Sequence, residues 1–94
     1  MIFGAVMKIK DGFVLEKVGN SYLAVAVGEL AASFSGIVRM NESGAFFWNL
    51  IKDEDKSESD MLKAALLEYD ADEAVLLSDI RKFGEKLRIA GILE

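Results

Sequence analysis

The chain of 94 residues has no cysteine, no histidine and no proline. Without cysteine there is no disulfide framework and no thiolate nucleophile. Without histidine the commonest general base and metal ligand are missing, and the serines have no base of that kind to activate them. The glycines are scattered and form no phosphate-binding loop. We therefore expect no metal, no other cofactor and no catalytic activity of the chain's own.

Basic residues are also scarce, with 11 lysines and arginines against 16 acidic residues and a net charge of −5. An acidic chain is an unfavourable partner for DNA, RNA or an anionic membrane. No apolar run approaches the roughly 18 residues of a membrane-spanning helix, and the apolar start is too short for a secretory signal. We expect a soluble, cytoplasmic, single-domain protein that binds neither nucleic acid nor membrane.

The first half of the sequence is typical of β-strands, because β-branched and aromatic residues dominate it. Strands are predicted over residues 13–18, 22–27 and 37–41. A three-residue loop is predicted between the first two strands, because it places Leu15 opposite Val25 and gathers apolar side chains on one face. A two-residue loop would instead place Glu16 opposite Leu23.

The second half is typical of α-helices. The predicted helices cover residues 42–51, 58–69 and 73–90. Their predicted N-caps are Asn41, Ser57 and Asp72, and Gly91 is the predicted C-cap of the last helix. The first helix contains three consecutive aromatic residues, 46–48, and is apolar around most of its circumference. Such a helix is expected to lie between the sheet and the other two helices. Its aromatic side chains are expected either to lie all in the core or to include one that lines a groove.

The predicted fold class is therefore α+β, a winged-helix-like domain in which a three-stranded antiparallel sheet is followed by three helices. Two of its surfaces could bind a partner. The third strand is expected at the edge of the sheet, where a peptide can add as a further strand. The third helix has a polar stripe formed by Asp79, Lys82 and Lys86, which is either a solvated face or a patch for an acidic partner.

Three stretches of the chain, residues 7–25, 36–51 and 66–93, resemble the coenzyme PQQ synthesis protein D family. The most specific part is the junction "IVRMNESGAFFW", in which a strand is followed by Asn-Glu-x-Gly-Ala, two aromatic residues and a tryptophan. The resemblance extends over residues 7–94, which we expect to form one peptide-binding domain. Residues 1–6 are then expected to be an N-terminal extension.

The resemblance implies a function. Members of this family are RiPP recognition elements, which bind the leader segment of a ribosomally made precursor peptide and present it to a modifying enzyme, often a radical SAM enzyme. The leader adds to the third strand and lies against the third helix. The contact residues implied in this way are Ile37, Val38, Arg39, Met40, Val75, Asp79, Lys82, Phe83 and Lys86. The product of the pathway, PQQ or another peptide, is left open.

A second function is compatible with the predicted fold, namely a winged-helix regulator that binds nucleic acid through the third helix. The recognition residues would be Arg81, Lys82, Lys86 and Arg88. The acidic net charge argues against this hypothesis. A DNA titration at two salt concentrations distinguishes the two hypotheses, because phosphate contacts give a steep salt dependence.

Overall fold

The computed structural model describes residues 6–33 and 36–94. Its elements, in chain order, are β1 (Val6–Met7), β2 (Phe13–Val18), β3 (Ser21–Ala26), a short 3-10 helix (Gly28–Ala32), β4 (Val38–Met40), α1 (Glu42–Ile51), β5 (Lys56–Ser57), α2 (Glu58–Glu68) and α3 (Glu73–Ala90). Strands β2, β3 and β4 form an antiparallel sheet in that order. The predicted α+β, winged-helix-like architecture is confirmed.

All three helices begin directly after their predicted N-caps, and α2 ends at Glu68, one residue before the predicted end. The Asn41 side chain accepts a hydrogen bond from the Gly44 N–H at 3.0 Å, and Ser57 Oγ accepts one from the Asp60 N–H at 3.1 Å. Asp72 is the N-cap of α3 by its extended backbone, although its side chain makes no capping hydrogen bond.

The C-terminus of α3 is a Schellman motif. Gly91 has a φ of 80°, its N–H donates to the Arg88 carbonyl, and the Ile92 N–H donates to the Leu87 carbonyl. This left-handed turn favours glycine and reverses the chain. The reversal places Ile92 in the core, where it is fully buried.

The predicted register of the β2–β3 hairpin is wrong. The loop has two residues, Gly19 and Asn20, and Glu16 lies opposite Leu23. Gly19 has a φ of 62°, and among the described residues only glycines have positive φ. That combination is typical of a type II′ turn, which is favoured in two-residue hairpins because its twist matches that of the strands. The geometry of the turn therefore determined the register. The alternative register, which would have placed more apolar side chains on one face, did not form.

The observed register changes which side of β3 faces the core. Ala24 is fully buried and Tyr22 is half-buried against the core, whereas Leu23 and Val25 lie on the other face of the sheet. The small side chain of Ala24 leaves room for α1, which contacts β3. The sheet is thus packed against a bulky helix through small residues of its central strand.

Helix α1 lies between the sheet and α3, as predicted, because it contacts β3, β4 and α3. Phe47 and Trp48 are buried, with 1% and 2% of their surface exposed. The Phe47 ring centroid lies 5.5 Å from that of Phe83. Phe46 is half-buried and makes an edge contact with Tyr69 at 5.4 Å, which links α1 to the end of α2. Burial also raises the pKa of Tyr69.

Two short strands that the sequence did not predict join the start of the described chain to the loop before α2. In this small antiparallel pair, Val6 lies opposite Ser57 and Met7 lies opposite Lys56. Val6 belongs to the segment that we expected to be an extension, and residues 1–5 lie outside the described residues.

None of the helices in the described part of the chain is long and apolar enough to cross a membrane.

We expect Trp48→Ala to lower the free energy of unfolding by about 3–5 kcal/mol, because it removes a large buried side chain from α1. The measurement is urea denaturation followed by circular dichroism. Leu67→Ala is the matched control, since Leu67 is 91% exposed and its truncation should change stability by less than about 0.5 kcal/mol. An unchanged midpoint for Trp48→Ala would contradict the packing described here.

We expect Gly44→Ala to destabilise the protein by about 1–3 kcal/mol, even though alanine favours helices. A Cβ atom at this position would lie 2.8 Å from Met40 Cβ, so β4 and the start of α1 would have to move apart. Asn49→Ala, on the exposed side of the same helix, is the control. If both variants have the urea midpoint of the wild type, Gly44 and Met40 do not approach each other this closely.

Candidate functional site

Among the described residues, strand β4 is one edge of the three-stranded sheet, and β2 is the other. Its residues pair with β3 so that Met40 lies opposite Tyr22, Arg39 opposite Leu23 and Val38 opposite Ala24. The register of the β2–β3 hairpin determines which main-chain groups of β4 bond to β3.

In a two-residue hairpin, the pair that flanks the turn is hydrogen-bonded, and such pairs alternate along the ladder. Ser21 and Leu23 therefore direct their main-chain groups toward β2, and Tyr22 and Ala24 direct theirs toward β4. It follows that Val38 and Met40 bond to β3. The main-chain N–H and C=O of Arg39 point away from the sheet, into the space beside α3.

A groove of about 500 Å³ lies between this edge and α3. It is lined by Asn20, Ser21, Arg39, Met40, Asn41, Ser43, Gly44, Phe47, Asp79, Lys82, Phe83 and Lys86. Three buried apolar side chains, those of Met40, Phe47 and Phe83, form its floor. The exposed side chains of Lys82 and Lys86 stand on its helical wall. An apolar floor with a few charged groups at the rim is the usual composition of a binding site.

A direct contact crosses the groove from α3 to β4. The Lys86 ammonium donates a hydrogen bond to the main-chain carbonyl of Arg39, 47 residues earlier in the chain. This contact agrees with the outward direction of that carbonyl deduced from the hairpin register. The side chain of Arg39 is placed on the opposite face of the sheet by strand alternation, so this residue contributes its main chain to the groove.

The basic residues of α3 fall into two groups. Arg81 pairs with Glu58 at 3.3 Å, and Arg88 pairs with Glu85 one turn earlier. The hydrogen bond from Arg88 lowers the pKa of the Glu85 carboxyl group. In the described part of the chain no carboxylate lies within ion-pair distance of Lys82 or Lys86. Neither groove lysine is therefore paired with a carboxylate of the described residues, and Lys86 is hydrogen-bonded to a neutral carbonyl.

The structure brings together six of the nine residues that the family resemblance implied. Arg39, Met40, Asp79, Lys82, Phe83 and Lys86 all line the groove. Val38 is buried, and its main chain bonds to β3. Ile37 and Val75 are exposed, at 65% and 51%, and lie outside the lining. Their contact with a partner stays a prediction.

The sequence analysis missed the far end of the groove. Asn20 and Ser21 reach it from the hairpin turn, and Asn41, Ser43 and Gly44 reach it from the first turn of α1. Tyr22 lies opposite Met40, so Ser21 lies at the end of β4. This pairing joins distant parts of the chain, and no local sequence pattern indicated it. The described residues contain no group of three or more acidic side chains that could hold a metal ion.

Comparison with solved structures shows the same fold in a protein described as "TbiB1 in Complex with the TbiA(beta) Leader Peptide". The two chains superpose with a TM-score of 0.72 at 22% identity, over 94% of this chain and 95% of the other. Among curated proteins, none matches the chain.

The family model of coenzyme PQQ synthesis protein D (PqqD) matches residues 30–93. The match covers more than half of the chain and includes β4, all three helices and every groove residue except those of the hairpin turn. The chain therefore belongs to the coenzyme PQQ synthesis protein D family.

Proposed function

We propose that the protein binds the leader segment of a ribosomally made precursor peptide as an additional strand on β4 and presents it to a modifying enzyme. The observation that carries this proposal is the outward main chain of Arg39 beside a groove with an apolar floor. Family membership supports it, and so does the shared fold with TbiB1, a protein whose solved structure contains a leader peptide.

The two walls of the groove have different roles in this proposal. The main-chain groups of Arg39 supply hydrogen bonds that demand little of the peptide sequence. Helix α3 supplies selectivity, through the apolar surface of Phe83 and through Lys82 and Lys86 at the rim. Ile37 and Val75 extend the two walls toward the flanking parts of the leader.

The protein acts in this proposal as an adaptor without catalysis of its own. The chain has neither histidine nor cysteine, and its groove contains main-chain groups, apolar side chains, lysines and one aspartate. These groups suit the holding of an extended peptide. The chemistry belongs to the partner enzyme, for which a radical SAM enzyme is our proposal, and short reading frames beside the gene would be the source of the precursor.

Binding of nucleic acid is less well supported by the same helix. Two of the four basic residues that a recognition helix would use, Arg81 and Arg88, are already paired with glutamates, and Lys86 is directed toward β4. A titration with duplex DNA at 50 and 200 mM salt is the control, because a DNA-binding protein would show tight binding with a steep salt dependence.

We expect Arg39→Pro to weaken leader binding at least about tenfold, whereas Arg39→Ala should retain most of it. Proline removes the outward N–H that the added strand would use, and it spares the β3–β4 ladder because that N–H takes no part in it. Binding is measured by fluorescence anisotropy with synthetic leaders from the neighbouring reading frames. Circular dichroism and urea denaturation must show that both variants are folded.

The location of the site is tested by titrating ¹⁵N-labelled wild-type protein with the same leaders. Amide signals of β4 and α3 should shift. Shifts confined to the β2–β3 turn or to α2, with β4 and α3 unchanged, would contradict the proposed function. So would equal binding by Arg39→Pro and Arg39→Ala.

We also expect Lys82→Glu combined with Lys86→Glu to slow association with an acidic leader and to reduce the dependence of the association rate on salt. The control is Lys52→Glu combined with Lys63→Glu, which changes the net charge equally at exposed positions outside the groove lining. Stopped-flow association rates at 50 and 200 mM salt provide the measurement. If the two double variants behave alike, the net charge and not the groove lysines controls association.

A further inference from the structure

We propose that Lys86 is a displaceable cap on the open edge of the sheet. A bound peptide would replace it on the Arg39 carbonyl, and the freed ammonium would then pair with a carboxylate of the peptide. This inference rests on the proposed function and adds to it the exchange of one hydrogen-bond partner for another and the position of an acidic residue in the ligand.

The capped group is the one that an added strand requires. An added strand bonds to the main-chain N–H and C=O of Arg39, because these are the outward groups of β4. In the free protein the Lys86 ammonium already donates to that carbonyl. An unpaired edge invites association with any other strand, and natural proteins protect such edges, often with lysine. Here the protecting lysine comes from the neighbouring helix.

The present acceptor of the Lys86 ammonium is a neutral carbonyl. The ammonium would therefore form a stronger hydrogen bond if this acceptor were exchanged for a carboxylate. Hydrogen bonds between an ammonium and a carboxylate are stronger than those to a neutral carbonyl. The described residues offer Lys86 no carboxylate within ion-pair distance, in contrast to Arg81 and Arg88 on the same helix. A peptide that supplies an N–H for the Arg39 carbonyl and a carboxylate for Lys86 leaves neither of these two groups without a partner.

Strand geometry gives the position of that carboxylate. The peptide residue that pairs with Arg39 directs its side chain to the outer face of the sheet, as Arg39 does. Its two neighbours direct theirs to the face of the sheet that the helices cover, as the buried Val38 and Met40 do. The acidic residue that pairs with the freed Lys86 ammonium is therefore next to the paired residue, on either side of it, and not the paired residue itself.

The cap can be tested in the free protein by Lys86→Met, which keeps most of the side-chain volume and removes the ammonium. The amide nitrogen of Met40 belongs to the same peptide unit as the Arg39 carbonyl, so we expect its ¹⁵N chemical shift to change. Lys82→Met, one turn away in the same groove, should leave it unchanged. An unaffected Met40 signal in Lys86→Met would overturn the cap.

The exchange is tested with a displayed library of random 12-residue peptides selected on wild-type protein. The best binder is synthesised with its acidic residues changed one at a time to the corresponding amide. On wild-type protein we expect one position at which the acid binds about tenfold more tightly than the amide. Lys86→Met should reduce that preference to below about twofold, whereas Lys82→Met should retain it. The amide peptide should bind Lys86→Met at least as tightly as it binds wild-type protein.

The outcomes distinguish this inference from the proposed function. If no selected peptide shifts the amide signals of β4, the proposed function fails. If peptides bind at β4 and the acid preference is the same in wild type and Lys86→Met, the function stands and the exchange is refuted. If Lys86→Met, unlike the wild type, dimerises through β4, the ammonium protects the edge, as the cap requires. The acid preference is then measured at protein concentrations at which the variant is monomeric.

Discussion

The two-residue turn at Gly19 and Asn20 is the constraint on which the rest of the site depends. It fixes the pairing of β2 with β3, and because hydrogen-bonded pairs alternate, it also fixes which residues of β3 bond to β4. The outward direction of the Arg39 main chain is therefore set by a turn two strands away. A loop longer by one residue would turn the Arg39 groups into the sheet, provided that the β3–β4 pairing stayed the same, and would expose those of its neighbours.

The packing of α1 joins the core to the groove. Phe47 is buried, contacts Phe83 of α3, and forms part of the groove floor. Gly44, one turn earlier, allows Met40 of the edge strand to approach the helix closely. The same side chains thus stabilise the fold and shape the surface on which a peptide would lie. Changes to the groove floor are for this reason expected to alter stability and binding together, whereas a change at the exposed Lys82 should alter binding alone.

Much of the fold could be predicted from local patterns, because local chemistry determines it. Asn41 and Ser57 begin helices by accepting main-chain hydrogen bonds, and Gly91 ends α3 in a left-handed turn. The hairpin register was predicted wrongly because Leu23 and Val25 are apolar yet lie on the open face, and Ala24 is small yet faces the core. The contact between Lys86 and Arg39 spans 47 residues and depends on that register, so no local pattern could show it.

The rotation of α3 explains why its lysines can act at the edge strand. Ile80, Phe83 and Leu87 are buried along one side of the helix, and this fixes its orientation against the core. Lys82 and Lys86 each precede one of these buried residues, so they emerge at the margin between core and solvent, beside the groove. At such a margin a lysine can lay its aliphatic stem along apolar surface while its ammonium group stays in solvent. A helix whose orientation is set by its buried side holds these two lysines beside the edge strand, where an extended peptide would lie under the proposed function.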